Sequence, residues 1–263
     1  MSRLKRAPSE HKGHAGKVLL IGGAPGMAGA LLLSGNASLH LGAGWTILEM
    51  LDPASAHAIS EQAELMIRLA SFDAQTQLAD TNPDLIAIGP GLGYSVLAKD
   101  WLEAVLKYPS APLVIDADAL NVIADTPAFL ALLLKRNQLN PGLWDIQADR
   151  MQALSQLVTL TQSLVVLKGQ HTLIASPTYS AVRCMQGNPG MAIGGMGDVL
   201  TGSIAAIAAQ GLRHNLTLWE ATCVAVQLHA SAADSLVAKQ VGPIGLTPSE
   251  VIMEMRSILN KLL

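Results

Sequence analysis

The sequence predicts an α/β protein, a mainly parallel sheet with helices on both faces, from three observations. Short apolar runs of strand length alternate with longer helical patterns, the mark of repeated strand and crossover units. Half of the residues are apolar while aromatics make up 3%. The interior is therefore built from Ala, Leu, Ile and Val, as in parallel strands buried on both sides. The glycine and polar clusters fall where strands end, the edge at which such sheets bind ligands.

Lys17 to Gly23 reads as a buried strand closing in a glycine turn, and Ala28 to Leu41 as a helix rich in small residues. After Gly42-Ala43-Gly44, Trp45 to Met50 is the next strand, and Ala54 to Ile67 has a helical pattern. Asp84 to Gly89 is a strand running into the loop Pro90-Gly91-Leu92-Gly93. A helix from Ser95 to Leu106 leads to the strand Leu113 to Asp116, with Ala117 to Asn121 as its loop. Leu164 to Lys168 and Thr172 to Ala175 are further strands. Behind a glycine loop the pattern is helical to about Lys239, and Pro248 to Leu263 is a closing helix. No linker or repeat divides the chain, so residues 1–263 are expected to form one domain.

Composition removes several function classes. Mean hydropathy is +0.36, yet no apolar run reaches the roughly 18 residues that a membrane span needs. No membrane role is expected. A net charge of −3 and a pI near 6.1 lack the basic footprint of a nucleic-acid binder. Arg3, Lys5, Arg6, Lys12 and Lys17 cluster without an apolar signal core behind them, and read as a solvated arm. Cys184 and Cys223 make no disulfide or metal spacing, which points to a reducing cytoplasm. Cys223, in an apolar helical stretch, reads as a small core residue.

The run Asn188-Pro189-Gly190-Met191-Ala192-Ile193-Gly194-Gly195-Met196-Gly197-Asp198 carries most of the chemistry. Glycines let a backbone turn tightly and approach a ligand. The helix start behind them offers unpaired N–H groups and a positive dipole end, which suit phosphate. Asp198 beside that anion hole suits a base that takes a proton from a hydroxyl about to meet a phosphoryl group. A plain turn with Asp as a capping residue is the alternative. Gly22-Gly23-Ala24-Pro25-Gly26 follows a strand but is no Gly-x-Gly-x-x-Gly fingerprint, and no Gly-x-Ser-x-Gly elbow is present.

Taken in order, five motifs resemble the ADP- or ATP-dependent NAD(P)H-hydrate dehydratases. They are Gly22 to Ala30 with Leu41 to Gly44, Ile88 to Gly93, Asp116 to Asn121, Val166 to Thr172, and Asn188 to Gly202. The resemblance implies a ribokinase-like three-layer sandwich and a repair reaction. An adenine nucleotide phosphorylates the hydroxyl of the 6-hydroxy hydrate of NADH or NADPH, and the ring nitrogen then expels phosphate. Asp198 is the implied base, and Gly195 and Gly197 supply backbone donors to the phosphoryl group. Lys168, Gly169, Gln170, His171 and Thr172 resemble the nucleotide-phosphate turn. Ala30 and Gly93 match the dinucleotide side. Asp118 and Asn121 are candidates for the same side, with Asp116 and Asp118 as loop braces the alternative. Lys168 as a surface lysine and Ala30 as packing also stay open.

The pattern breaks after the Asp116 loop, where this family carries Thr-Pro-His-Pro-Gly-Glu and this chain has Gln138-Leu139-Asn140-Pro141-Gly142-Leu143. Asn140 keeps hydrogen-bonding capacity toward the substrate without the cationic charge of His. Leu143 has no carboxylate, although Asp145 lies two residues on. Met196 replaces a usual Thr and Ala24 a common Ser, and Trp144 adds bulk nearby. A small-molecule kinase of the same superfamily and a nucleotide-binding protein with little catalysis are therefore the rival readings. The resemblance further implies ADP or ATP as phosphoryl donor, Mg²⁺ with ligands that the sequence does not name, a homo-oligomer such as a tetramer, and a separate epimerase chain.

Overall fold

The computed structural model describes residues 2–57, 62–136 and 150–263. In chain order the first half gives β1 (Lys17–Gly22), α1 (Ala28–His40), β2 (Trp45–Met50), α2 (Pro53–Ala56), β3 (Met66–Leu69), α3 (Ala74–Thr81), β4 (Leu85–Ile88), α4 (Val96–Lys107) and β5 (Leu113–Ile115). There follow α5 (Ala117–Asp125), α6 (Pro127–Arg136), α7 (Arg150–Thr161), β6 (Val165–Leu167), β7 (Leu173–Ala175), β8 (Val182–Arg183), α8 (Met196–Arg213), α9 (Leu218–Ala238) and α10 (Pro248–Leu262).

Five strands lie in the order β3-β2-β1-β4-β5, all parallel. Side chains alternate across the sheet with a period of two, and the core divides accordingly. Val18, Leu20, Leu48, Met50, Leu85 and Ala87 face α1, α8, α9 and α10. Leu19, Ile21, Ile47, Ile86 and Ile88 face α3 to α6, with Trp101 fully buried among them. That is the three-layer sandwich expected.

Small residues bring the helices of the first face close together. Ala205, Ala206, Ala208 and Ala209 of α8 and Ala225, Ala232 and Ala233 of α9 are buried. Gly202 of α8 meets α1 so closely that a Cβ there would stand 2.0 Å from the Ser34 carbonyl oxygen. The Ser34 hydroxyl in turn donates to the Asp198 carbonyl at 2.7 Å. The first turn of α8 is thereby tied to α1.

Several elements differ from the sequence reading. Among the described residues, the helical pattern of Ala54 to Ile67 is realised as α2, capped by Asp52. Met66–Leu69 instead is the edge strand, because β2 offers it a free ladder and Arg68 reaches the buried Glu49 carboxylate. Ala117 to Asn121 belongs to α5 rather than a loop. The long pattern behind Asp198 is two helices, α9 starting at the capping box of Thr217 and Glu220. The strands from Leu164 to Ala175 leave the parallel sheet and pair antiparallel, in a small sheet of order β6-β7-β8.

The basic N-terminus is docked, not a solvated arm. Leu4 is buried, Arg3 bonds the Asn215 carbonyl and Glu220, and the Lys12 and Lys17 ammonium groups lie over the Trp45 ring. Cys223 is half-buried against a satellite cluster that includes Cys184.

Gly202→Ala should destabilise the protein by about 2 kcal/mol, the usual scale of forced overpacking, lowering Tm by roughly 4–8 °C. Gly29→Ala, with open space around it on the same helix pair, should leave Tm unchanged or raise it. Thermal denaturation of the two variants checks the contrast.

Candidate active site

The site is assembled where β4, β5, the β6–β7 turn and α8 come together. Gly89, just past β4, has φ 135°, and a Cβ on it would lie 1.8 Å from the Asp116 carbonyl oxygen. This close approach sets Asp116 at the end of β5. Its side chain does not cap α5. One oxygen instead accepts from Lys168 Nζ at 2.6 Å and the other from the Thr201 hydroxyl at 2.6 Å. Lys168 is therefore no free surface lysine. Asp116 links the small sheet, through Lys168, to the second turn of α8, through Thr201.

Gly195, with φ 94°, is the capping position of α8, and no side chain caps that helix. Its first N–H groups have no partner within the helix. Asp198 sits in this opening turn. Burial pushes its carboxyl up to about 6, Asp116 adds to the rise, Lys168 opposes it, and Asp118 contributes a further increase. Gly197 lies against Lys168, since a Cβ there would be 3.1 Å from the ammonium nitrogen.

A cavity of about 710 Å³ opens beside Lys168, within the usual range for small-molecule sites. Lys168, Gly169, Gln170, His171, Thr172 and Gly197 all line it. The turn is held by a residue that sequence reasoning missed. Arg150, at the start of α7, donates to the carbonyls of Gln170 at 2.5 Å, Leu167 at 3.1 Å and Lys168 at 3.3 Å. His171 adopts a left-handed φ of 54°, an uncommon conformation for a non-glycine residue and one often found at binding loops. On the opposite wall the Asn188 side chain accepts from the Gly190 N–H and donates to Asp234 of α9. Met196 also faces the cavity, where the sequence pattern expected a hydroxyl.

The residues assigned to the dinucleotide side form a second group. Asp118, in the first turn of α5, accepts from the Gly93 N–H at 2.9 Å. Asn121 lies one turn further along α5 and is exposed. Ala30 packs near Gly91, where an added Cβ would stand 3.2 Å from it. None of these four lines the cavity, and neither does Gly195. Asp198 does not line the cavity either; it follows Gly197, which does, and the charges of Asp116, Lys168 and Asp118 act on it. Asn140, Leu143, Trp144 and Asp145 lie outside the described residues.

Thr201, Arg150 and His229, which also lines the cavity, escaped the sequence reading. Thr201 follows Asp198 by three residues and so shares its helix face, a usable signal. Arg150 and His229 carried none, because their positions depend on chain-distant packing.

Among the described residues, no three His, Cys, Asp or Glu side chains converge as a metal site. Mg²⁺ commonly keeps several waters and binds through phosphates with one or two carboxylates. Lys168 and the uncapped start of α8 suit the phosphates that would carry such a cation.

Comparison with known proteins identifies the family of the chain. The family model described as NAD(P)H-hydrate dehydratase matches residues 18–256. A bifunctional NAD(P)H-hydrate repair enzyme of Vibrio cholerae is 37% identical across 97% of this chain and 52% of its own. The chain thus spans about half the length of such curated relatives. The ADP-dependent (S)-NAD(P)H-hydrate dehydratase of Neisseria meningitidis is 32% identical, with 98% of this chain and 89% of that one covered. The fold matches the Bacillus subtilis ADP/ATP-dependent NAD(P)H-hydrate dehydratase co-crystallised with ATP/Mg²⁺, at a TM-score of 0.79 and 23% identity over 98% and 94% of the two chains. The three-layer arrangement is the ribokinase-like fold. On the match of its sequence from β1 into α10, this chain belongs to the NAD(P)H-hydrate dehydratase family.

Proposed function

We propose that this protein uses ADP or ATP to dehydrate the 6-hydroxy hydrate of NADH or NADPH, regenerating the reduced cofactor with release of phosphate and AMP or ADP. The observation that carries the reading is Asp198, a carboxyl raised to about 6 in the opening turn of α8, directly after Gly197 of the lysine-lined cavity. At pH 7 such a group is mostly ionised yet still basic enough to accept a proton.

In this reading the nucleotide occupies the cavity, with Lys168 to Thr172 around its phosphates. The hydrate lies toward Ala30, Gly93, Asp118 and Asn121, with Asn140 assigned to the same side. Asp198 takes the hydroxyl proton as the oxygen bonds to phosphorus and the nucleotide's bridging P–O bond breaks. The N–H groups at Gly195 and Gly197 hold charge on the phosphoryl oxygens. The ring nitrogen's electron pair then expels phosphate with cleavage of the C–O bond, and loss of a ring proton completes NADH or NADPH. Phosphate leaves far more readily than hydroxide, which is what the nucleotide contributes. Arg150 acts by positioning the turn, and Thr201 by positioning Asp116.

Mg²⁺ bound with the nucleotide would offset its phosphate charge. The ATP/Mg²⁺ complex of the Bacillus subtilis protein supports its use. The two unpaired cysteines support a cytoplasmic setting, and a core cluster that draws on residues from Leu4 to Leu259 supports a single domain over residues 1–263. We further infer a homo-oligomer, a tetramer by family resemblance.

Recovery of reduced-nicotinamide absorbance from NADH or NADPH hydrate, dependent on added ADP or ATP with Mg²⁺, tests the reading. A stable phosphorylated product would instead assign a kinase, and nucleotide binding without turnover a binding protein. Asp198→Asn should lower kcat by at least about 10²-fold while leaving the Kd for ADP nearly unchanged; an active variant would remove Asp198 from the role of base.

The pH profile provides a separate check. A base must be deprotonated, so kcat/KM should rise through about pH 6 and level above it. Asp116→Asn removes a charge that raises the Asp198 carboxyl, so the rising limb should move to lower pH. A limb that stays in place would break the link between the two carboxylates.

A further inference from the structure

The order of the strands decides where this sheet offers room for a dinucleotide. It runs β3-β2-β1-β4-β5, so the chain reverses its direction of travel between β1 and β4. The helices that follow those two strands lie on opposite faces, α1 with Leu20 and Leu48, α4 with Ile21 and Ile88. Such a reversal leaves a crevice outside the strand ends, and open α/β sheets bind their ligands there. Two loops in contact floor it. The Gly23 N–H donates to the Pro90 carbonyl at 3.1 Å and the Ala24 N–H to the Gly91 carbonyl at 2.7 Å. On the β5 side, Asp118 accepts from the Gly93 N–H of the same loop.

The β2 side ends at Asp52. Its N–H donates to the Gly23 carbonyl at 3.0 Å, which brings the tip of β2 against the glycine turn. Its side chain caps α2, with Oδ1 accepting from the Ala54 N–H and Oδ2 from the N–H and hydroxyl of Ser55. That leaves Oδ1 able to accept once more. The Ser55 hydroxyl holds the carboxyl below its ordinary range, so it is charged at pH 7. No Lys or Arg occurs in residues 22–27, 51–67 or 69–82. Arg68 of β3 is engaged by Glu49 and Thr81. The ends of β2 and β5 are three strand spacings apart, about 14 Å, a span that an extended dinucleotide bridges.

We propose that Asp52 is a specificity-determining residue for the dinucleotide, accepting a hydrogen bond from the 2′-hydroxyl of its adenosine ribose and repelling a 2′-phosphate, so that the hydrate of NADH is preferred to that of NADPH. The hydrated ring then lies at the Asp118 end of the crevice and the adenosine at the β2 end. The 22–27 turn lacks Gly-x-Gly-x-x-Gly spacing; it is the place in the sheet, and the one-signed charge around it, that carry the assignment. It rests on the hydrate reading proposed above and narrows its substrate.

Steady-state kinetics with the two hydrates, beside calorimetric titration with intact NADH and NADPH, test it on the wild type and Asp52→Asn. Asn caps a helix as well as Asp does, so the variant should melt like the wild type while losing the charge. The wild type should favour NADH hydrate in kcat/KM by about ten-fold or more, chiefly through KM, the scale on which a like charge excludes a partner. NADH should bind with a similar preference over NADPH. Asp52→Asn should shrink both ratios at least about three-fold by improving the use of the NADPH form, whereas a capping role alone would leave them where they were. Equal use of the two hydrates by the wild type, or ratios unmoved in Asp52→Asn, would overturn the assignment while the repair activity stood. A wild type that neither turns over a hydrate nor binds a dinucleotide would sink the hydrate reading itself, and is thus distinct from a failure of Asp52 alone.

Discussion

The carboxylate of Asp116 is the point on which the site depends. It accepts from Lys168 on one side and Thr201 on the other, and so fastens three parts of the chain that are far apart in sequence. The end of the parallel sheet, the turn of the small sheet and the opening of α8 are held in one arrangement. Asp116 also sets the character of Asp198. Two carboxylates near one another raise the cost of charging the less compensated one, and Lys168 is spent on Asp116. The base and the cation are thereby kept apart in role: Asp198 retains basicity while Lys168 keeps an accessible face toward the cavity.

That arrangement is possible because the backbone can come unusually close in two places. Gly89 lets the ends of β4 and β5 touch, and Gly202 lets α8 lie on the Ser34 carbonyl of α1. Both contacts leave no room for a side chain. The aromatic-poor, Ala-rich interior of α8 and α9 serves the same end, since small side chains allow long helices to pack at short distance. The start of α8 is then pinned by Ser34. A helix start used to hold an anion needs such fixing, because a loose set of N–H groups would lose its advantage over water.

The two halves of the site are built by different means. The side proposed for the dinucleotide grows out of the parallel sheet, where Asp118 and the Gly93 N–H join two strand ends. The side proposed for the nucleotide is added by an antiparallel three-stranded sheet whose turn would be weakly determined alone. Arg150 compensates by holding three successive regions of carbonyl backbone. Asp234 does the same for the Asn188 loop facing it. Binding is thus distributed over loops, and each loop is fastened from a helix behind it.

The sequence by itself determined the alternation of strands and helices, the doubly buried sheet and the glycine-rich edge, because these follow from local periodicity and from backbone freedom at single residues. It also pointed to Asp198 through the glycine loop before a helix, and to the 168–172 turn through the family resemblance. It did not determine that Met66–Leu69 is a strand, as that segment is extended only because β2 offers it a ladder and Glu49 offers Arg68 a partner. Nor did it reveal whether Asp116 braces a loop or serves the site, a choice made by Lys168 and Thr201 from 52 and 85 residues away. His229 is the same case. Its neighbours in sequence mark it as one more buried position in an apolar helix, and only the packing of α9 against α8 brings it to the cavity wall. Local chemistry is written along the chain, whereas the partner of a buried polar group is chosen in three dimensions.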